Sequence, residues 1–230
     1  MADPSNLAGD GNLTLLAPAE RRMALRMVEA MLFASAHPLS KAELAARLPE
    51  GSDVDALLRE IEHAYSARGV NLVKVAGKYM FRTASDLAFL LQRDAHDQKK
   101  LSRAALETLA IIAYHQPVTR AEIEEVRGVS ISKGTIDVLM EAGWIRMRGR
   151  RRTPGRPVTY GTTEAFLVHF GLEVIGDLPG LDELKGAGLL DGRIPPGFTV
   201  PEPRDGDGLT EDEDPLDPSD LLAAGLTEHD

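Results

Sequence analysis

The sequence predicts a mainly α protein with small β-hairpins, an α+β chain built as two winged-helix domains in tandem. Three observations predict this. Residues 101–163 read as three capped helices followed by a hairpin, the element order of a winged helix. Residues 21–94 read in the same order. The two stretches also align, since Pro38-Leu-Ser-Lys-Ala-Glu-Leu44 matches Pro117-Val-Thr-Arg-Ala-Glu-Ile123 residue for residue in type. Without a gap Leu32 falls on Ile111, Leu57 on Ile136 and Ile61 on Met140, so apolar positions and caps keep register.

Each element has a local cause. Residues 1–20 carry scattered Gly, Pro and Asn and are expected to be disordered. From about Arg21 a helix begins with Leu25, Val28 and Leu32 on one face, and it stops near His37-Pro38, because the residue before Pro avoids the helical region. Ser40 and Glu43 have capping-box spacing and open a helix to about Leu48, closed by Pro49. Asp53 caps a longer helix with the apolar stripe Val54, Leu57, Leu58, Ile61 and Tyr65, ending at Gly69. Residues 70–75 and 79–82 flank the turn Ala76-Gly77-Lys78 as a hairpin, and Ser85 to Asp94 is expected to form a last helix bearing Leu87, Leu90 and Leu91. This completes a first domain over 21–97, with a polar connection, Arg93 to Lys100.

The second domain is expected over 98–172. Ser102 is placed to cap a helix running to about Tyr114, Thr119 and Glu122 repeat the capping box, and a short helix from Lys133 ends at Gly143. Residues 144–148 and 158–161 flank a loop, Gly149 to Pro157, whose polarity and prolines exclude it from strand interior. Thr162 or Thr163 caps a further helix with Phe166, Leu167 and Phe170, closed by Gly171. A Leu-rich extension over 173–198 is expected to pack as short helical turns, and 199–230 to be an acidic disordered tail.

Charge separates the tail from the rest. Residues 201–230 hold eleven acids and one base, which is the whole net charge of −10, so residues 1–200 are neutral. The tail also carries Leu216, Leu221 and Leu222, and Ser219 to Gly225 has the composition of a capped helical turn or two. The absence of Cys excludes a disulfide frame, a thiol nucleophile and a Cys-ligated metal. No apolar run approaches the ~20 residues of a membrane span. With no signal-like start, a cytoplasmic protein without membrane contact is expected.

Chemistry is sparse. The histidines show neither metal-ligand spacing nor a neighbouring nucleophile, with His37 and His115 read as loop residues, so no enzyme activity, metal or cofactor is expected. The glycines of Gly186-Ala-Gly188 and Gly206-Asp-Gly208 follow no strand and do not make a phosphate loop. A winged helix that reads bases needs Arg, Lys, Asn or Gln on its third helix. Here the first third helix carries Asp53, Asp55, Glu60 and Glu62 against Arg59 and Arg68, and the second carries Asp137 and Glu141 against Lys133. Both are net acidic.

The basic feature is the second wing, where Arg146, Arg148, Arg150, Arg151, Arg152 and Arg156 have no acid nearby in sequence. Arg148, Arg150, Arg151, Arg152 and Arg156 are the candidate contacts to a partner or to DNA. The tail acids are the other uncompensated cluster, and one reading sets them against these arginines, so that the tail screens the wing.

Residues 101–114, 116–128 and Pro154-Gly-Arg-Pro-Val-Thr-Tyr-Gly-Thr-Thr163 resemble the segregation and condensation protein B (ScpB) family, with a looser likeness over 21–100. The resemblance implies a non-enzymatic subunit of the bacterial condensin-like SMC–kleisin complex. It implies a homodimer, formed through the first domain, that binds the kleisin subunit ScpA and, in the assembled complex, the SMC ATPase. DNA would be met indirectly or weakly, at the nucleoid. A winged-helix transcription regulator is the alternative, and third-helix charge argues against it. The resemblance reaches neither the Arg150-Arg151-Arg152 run nor the tail.

Overall fold

The computed structural model describes residues 18–91, 101–180, 183 and 208–223. They divide into two compact units, the first made of the described residues up to Val73 and of 78–91, and the second of the rest. The expected disordered start, the polar connection and the join at 97/98 lie largely or wholly outside the described residues.

In the first unit α1 (Pro18–Ala34) starts earlier than the apolar pattern suggests, since Pro is tolerated in a first helical turn. It buries Ala24, Val28 and Leu32, so the core stripe is turned by one residue from the expected one and Leu25 is only partly covered. In α2 (Lys41–Ala45) the Ser40 hydroxyl accepts from the Glu43 N–H at 3.2 Å, and the Glu43 carboxylate accepts from the Ser40 N–H at 2.7 Å. α2 ends sooner than expected, at Ala45 rather than Leu48. The Asp53 carboxylate caps α3 (Val54–Tyr65), accepting from the Ala56 N–H at 3.0 Å. Leu57, Leu58 and Ile61 of α3 close on α1 and on Leu44 of α2.

The hairpin β1 (Val70–Val75) and β2 (Lys78–Thr83) follows, and Leu39 exchanges two backbone hydrogen bonds of 2.8 Å with Tyr79 at its edge. Where an α-helix was expected after the hairpin, Ser85–Leu91 is a 3-10 helix, with Phe89, Leu90 and Leu91 exposed. An apolar stripe needs a surface to bury against, and among the described residues this segment has little.

The second unit repeats the order with a larger sheet. It contains α4 (Arg103–His115), β3 (Val118–Thr119), α5 (Arg120–Arg127), α6 (Lys133–Glu141), β4 (Ile145–Arg151), β5 (Val158–Thr162) and α7 (Glu164–Phe170). A 3-10 turn, Ile175–Asp177, comes next, and β6 (Glu213–Asp214) and α8 (Pro218–Ala223) come from the tail. Ser102, Thr119 and Thr163 cap α4, α5 and α7 through their hydroxyls, and Gly128 and Gly171 end α5 and α7 in the left-handed region. The core holds Leu109, Ile112, Ile123, Leu139, Ile145 and Phe166. Each large side chain so buried contributes about 1.5–3 kcal/mol.

The repeat is strict only at its centre. Leu44 and Ile123 are both fully buried, as are, nearly, Leu57 and Ile136. On α4 the burial pattern matches Leu32 to Ile112 rather than Ile111, and on α6 it matches Ile61 to Leu139 rather than Met140. The first shift comes from a spacing between Ile112 and Ile123 one residue shorter than that between Leu32 and Leu44, and the second from a turn of the buried face within α6, neither of which a gapless alignment can show.

Two further expectations need correction. The segment Gly149-Arg-Arg, assigned to a loop, is strand, because β4 continues to Arg151. The tail, expected to be disordered, is folded over 208–223 and supplies a strand and a short helix. Both changes fall on one sheet of order β3-β5-β4-β6, all antiparallel, in which β5 pairs with β4 as far as Arg150 and the tail strand pairs with Arg150 and Arg151 on the other side. The Leu-rich extension is described only to residue 180 and at 183, with Leu178 on the core.

Candidate functional site

The wing begins as an ordinary hairpin. Ile145 pairs with Thr162 and Met147 with Tyr160, and the register then shifts so that Gly149 pairs with Thr159. Arg148 is the extra residue of this bulge, and its side chain is turned inward and only 6% exposed. Beyond the bulge β4 carries Arg150 and Arg151, followed directly by Arg152, on an edge that would otherwise be unpaired.

The tail fills that edge. Arg150 pairs with Asp214 and Arg151 with Glu213, and the Arg152 N–H donates to the Asp212 carbonyl at 2.8 Å. Gly149 makes the approach possible, because a Cβ there would stand 2.5 Å from the Asp214 carbonyl oxygen and 2.7 Å from Leu209 Cδ2. Side chains alternate across a strand, and the three central tail acids divide accordingly.

Glu213 points inward and is 2% exposed. The Thr159 hydroxyl donates to it at 2.5 Å and the Thr210 N–H at 3.0 Å, with the Arg148 guanidinium 3.7 Å away. Burial pushes the Glu213 carboxyl up, but those hydrogen bonds and the Arg148 charge outweigh it and hold the group below its usual range.

Asp212 and Asp214 point outward. Asp212 accepts from Arg151 at 2.5 Å, while Asp214 accepts from Arg152 at 2.7 Å and from Arg156 at 3.1 Å. Arg151 also donates to both oxygens of Glu122, at 3.2 and 3.1 Å, and to the Pro117 carbonyl at 2.9 Å. Further along, Arg150 grips Asp220 with two nitrogens, and the Asp217 N–H donates to the same carboxylate at 2.9 Å. These contacts bring the Asp220 pKa down to about 2.

The structure therefore brings all five candidate arginines together, but with acids placed on each. Arg148, Arg150 and Arg151 are largely covered, whereas Arg152 and Arg156 stay about half exposed. The expectation of a wing without nearby acids is thus corrected, and the reading in which the tail sits on the wing describes the geometry. Sequence reasoning missed Thr159, Glu122 and the Gly149 contact. A signal for the tail fold was present, because Thr210 and Glu213, like Asp217 and Asp220, have the three-residue spacing of a local cap, and both pairs close hydrogen bonds.

Elsewhere the chemistry is plain. His115 is the last residue of α4 rather than a loop residue, and burial lowers its pKa against the opposing pull of Glu122. On α3, Asp55 pairs with Lys41 of α2 and Glu60 with Arg21 of α1. Among the described residues, no group of three or more His, Cys, Asp or Glu is placed to hold a metal, and no helix is long and apolar enough to cross a membrane. The arrangement holds charge and a strand edge.

Comparison with known proteins adds a family. The sequence profile described as segregation and condensation complex subunit ScpB matches residues 26–181. The segregation and condensation protein B of Geobacillus thermodenitrificans is 43% identical over 176 residues, 74% of this chain and 84% of that protein. The segregation and condensation protein B homolog of Coxiella burnetii is 42% identical over 164 residues, 69% of this chain and 78% of that protein. Among solved structures, ScpB from Mycobacterium tuberculosis is 34% identical, with a TM-score of 0.31 over 66% of this chain and 97% of that one.

Proposed function

The chain belongs to the family of segregation and condensation complex subunit ScpB, and we propose that it is a non-catalytic subunit of an SMC–kleisin complex that binds the kleisin ScpA and supports chromosome condensation and segregation. Family membership over residues 26–181 carries this reading. Charge supports it, since the outward acids of α3 and α6 repel phosphate where a base-reading winged helix presents donors. A DNA regulator working through the wing would need those arginines for phosphates, and here carboxylates of the same chain stand against them.

The homodimer expected through the first unit has a surface suited to it. On α1, Phe33 is 86% exposed and Met23 52%, and Phe33 borders a cleft with Arg26, Tyr65, Val70 and Phe81. The apolar exposure of Phe33 beside this cleft supports a protein contact there.

Affinity capture of the tagged full chain from its own host's lysate, with and without nuclease, tests the role. Recovery of a kleisin and an SMC ATPase in both samples is the expected result. Recovery of nucleic acid alone, lost with nuclease, would contradict it and favour a DNA regulator.

A further inference from the structure

We propose that the outer edge of β4 is a strand-acceptor site for an acidic, extended polypeptide, and that residues 208–223 are its resident occupant, held in cis by their tether and open to replacement by the same segment supplied in trans. The inference stands apart from the family role, since the acceptor strand lies within the residues matched to the family and the occupant lies beyond them.

Three features make the edge a site rather than a charged patch. Its backbone is read by the occupant's backbone, through the Arg150–Asp214 and Arg151–Glu213 pairs and the Arg152 N–H bond to Asp212. Its floor is Gly149, whose missing side chain admits the occupant's main chain to direct contact. Its side-chain readout is alternating, because one glutamate enters the socket of Thr159 and Arg148 while the flanking aspartates meet Arg151, Arg152 and Arg156. Main-chain pairing with pockets for alternate side chains is the general mode of strand addition.

A duplex phosphate backbone would need neither the bare floor at Gly149 nor the alternating side-chain pockets. The occupant's own hold is short. β6 is two residues long, and the outer pairs of Asp214 to Arg152 and Arg156 are exposed and individually weak. Tethering keeps the site filled, by giving the tail an effective concentration on the order of millimolar.

The test uses the full chain in two forms, the natural sequence and a variant with Glu213→Lys and Asp214→Lys, which expels the tail and leaves the wing intact. A second expelling variant, Leu209→Asp with Asp220→Asn, guards against misfolding of the first, and circular dichroism and melting check both. The probes are a labelled peptide of residues 208–223, the same peptide scrambled, and a duplex DNA oligonucleotide. At about 50 mM salt, where screening is modest, the native peptide should bind the expelled variants at least about tenfold more tightly than the natural chain, whose site is filled by its tether. It should also bind them at least about tenfold more tightly than the scrambled peptide does. Equal binding of the peptide by natural chain and variants, or no binding by either variant, would overturn the proposal. Equal affinity for native and scrambled peptides, or tighter binding of the duplex than of the native peptide, would overturn it in favour of a charge-only surface.

Discussion

When the Glu213 carboxylate enters the wing it loses its water, and Thr159 and Thr210 supply the donors that replace it. Replacing Glu213 by Ala leaves the Thr159 hydroxyl without that acceptor and the inward Arg148 without that neighbouring charge, at a cost of about 1–3 kcal/mol. Chemical denaturation of the full chain measures this, and an unchanged midpoint would contradict the buried pairing. The same residues set a pH dependence. Asp220 has a folded pKa of about 2 against an ordinary value of 3.8, and Asp212 and Asp214 are also held below their usual range by Thr210 and Arg151 and by Arg152 respectively. A depressed carboxylate contributes stability that is present above its unfolded pKa and is lost as pH falls through its folded pKa. The tail should therefore stay on the wing at neutral pH and detach as pH falls from 3.8 towards about 2. The chain has no cysteine, so dyes on Thr153→Cys and Ser219→Cys can follow that separation by energy transfer. Detachment complete by about pH 6 would be incompatible with carboxylates as the titrating groups.

Helix caps are the elements that repeat most closely between the two units. Thr119→Ala in α5 and Ser40→Ala in α2 each remove a hydroxyl acceptor from a capping box, and each should cost about 1 kcal/mol of its unit's stability. Melting curves of the single variants check this. Such caps were legible in the sequence because both partners lie three residues apart, and the hairpins were legible for the same local reason. The far end of β4 was not, since Gly149, Arg150 and Arg151 have no apolar alternation and become strand through pairing with β5 on one side and with β6 on the other. Nor was the 3-10 form of Ser85–Leu91 legible, where an apolar pattern exists without a surface to cover it. Of the candidate site, the wing arginines and the acidic tail were visible as two uncompensated charge clusters, whereas the socket at Thr159 and the flat floor at Gly149 arise only on folding. Gly149→Val is the sharpest probe of that floor, because its Cβ would collide with the Asp214 backbone. It should push β6 off the edge and speed hydrogen exchange at the Arg152 amide by at least about tenfold, as local opening replaces a closed ladder. Unchanged protection there would mean that β6 does not depend on the bare glycine.

The whole molecule is neutral over residues 1–200, with its excess acid in the tail, and the wing binds part of that acid internally. What the folded units turn outward is the exposed Phe33 face of α1 in the first and acidic third helices in both. Phe33→Asp should convert a dimer into a monomer in light scattering of the full chain, while its melting temperature changes little, as the side chain is already in solvent. A natural chain that is monomeric at about 50 µM, a concentration that would populate even a weak dimer, would remove the dimer from the account. The subunit role itself is tested most directly by reconstitution. The full chain is mixed with the ScpA kleisin of the same organism and run on size exclusion with light scattering, at about 10 µM, after nuclease treatment. Co-elution at a mass equal to a whole-number combination of the two proteins is the result predicted, and separate elution of both at their individual masses is the result that would contradict it.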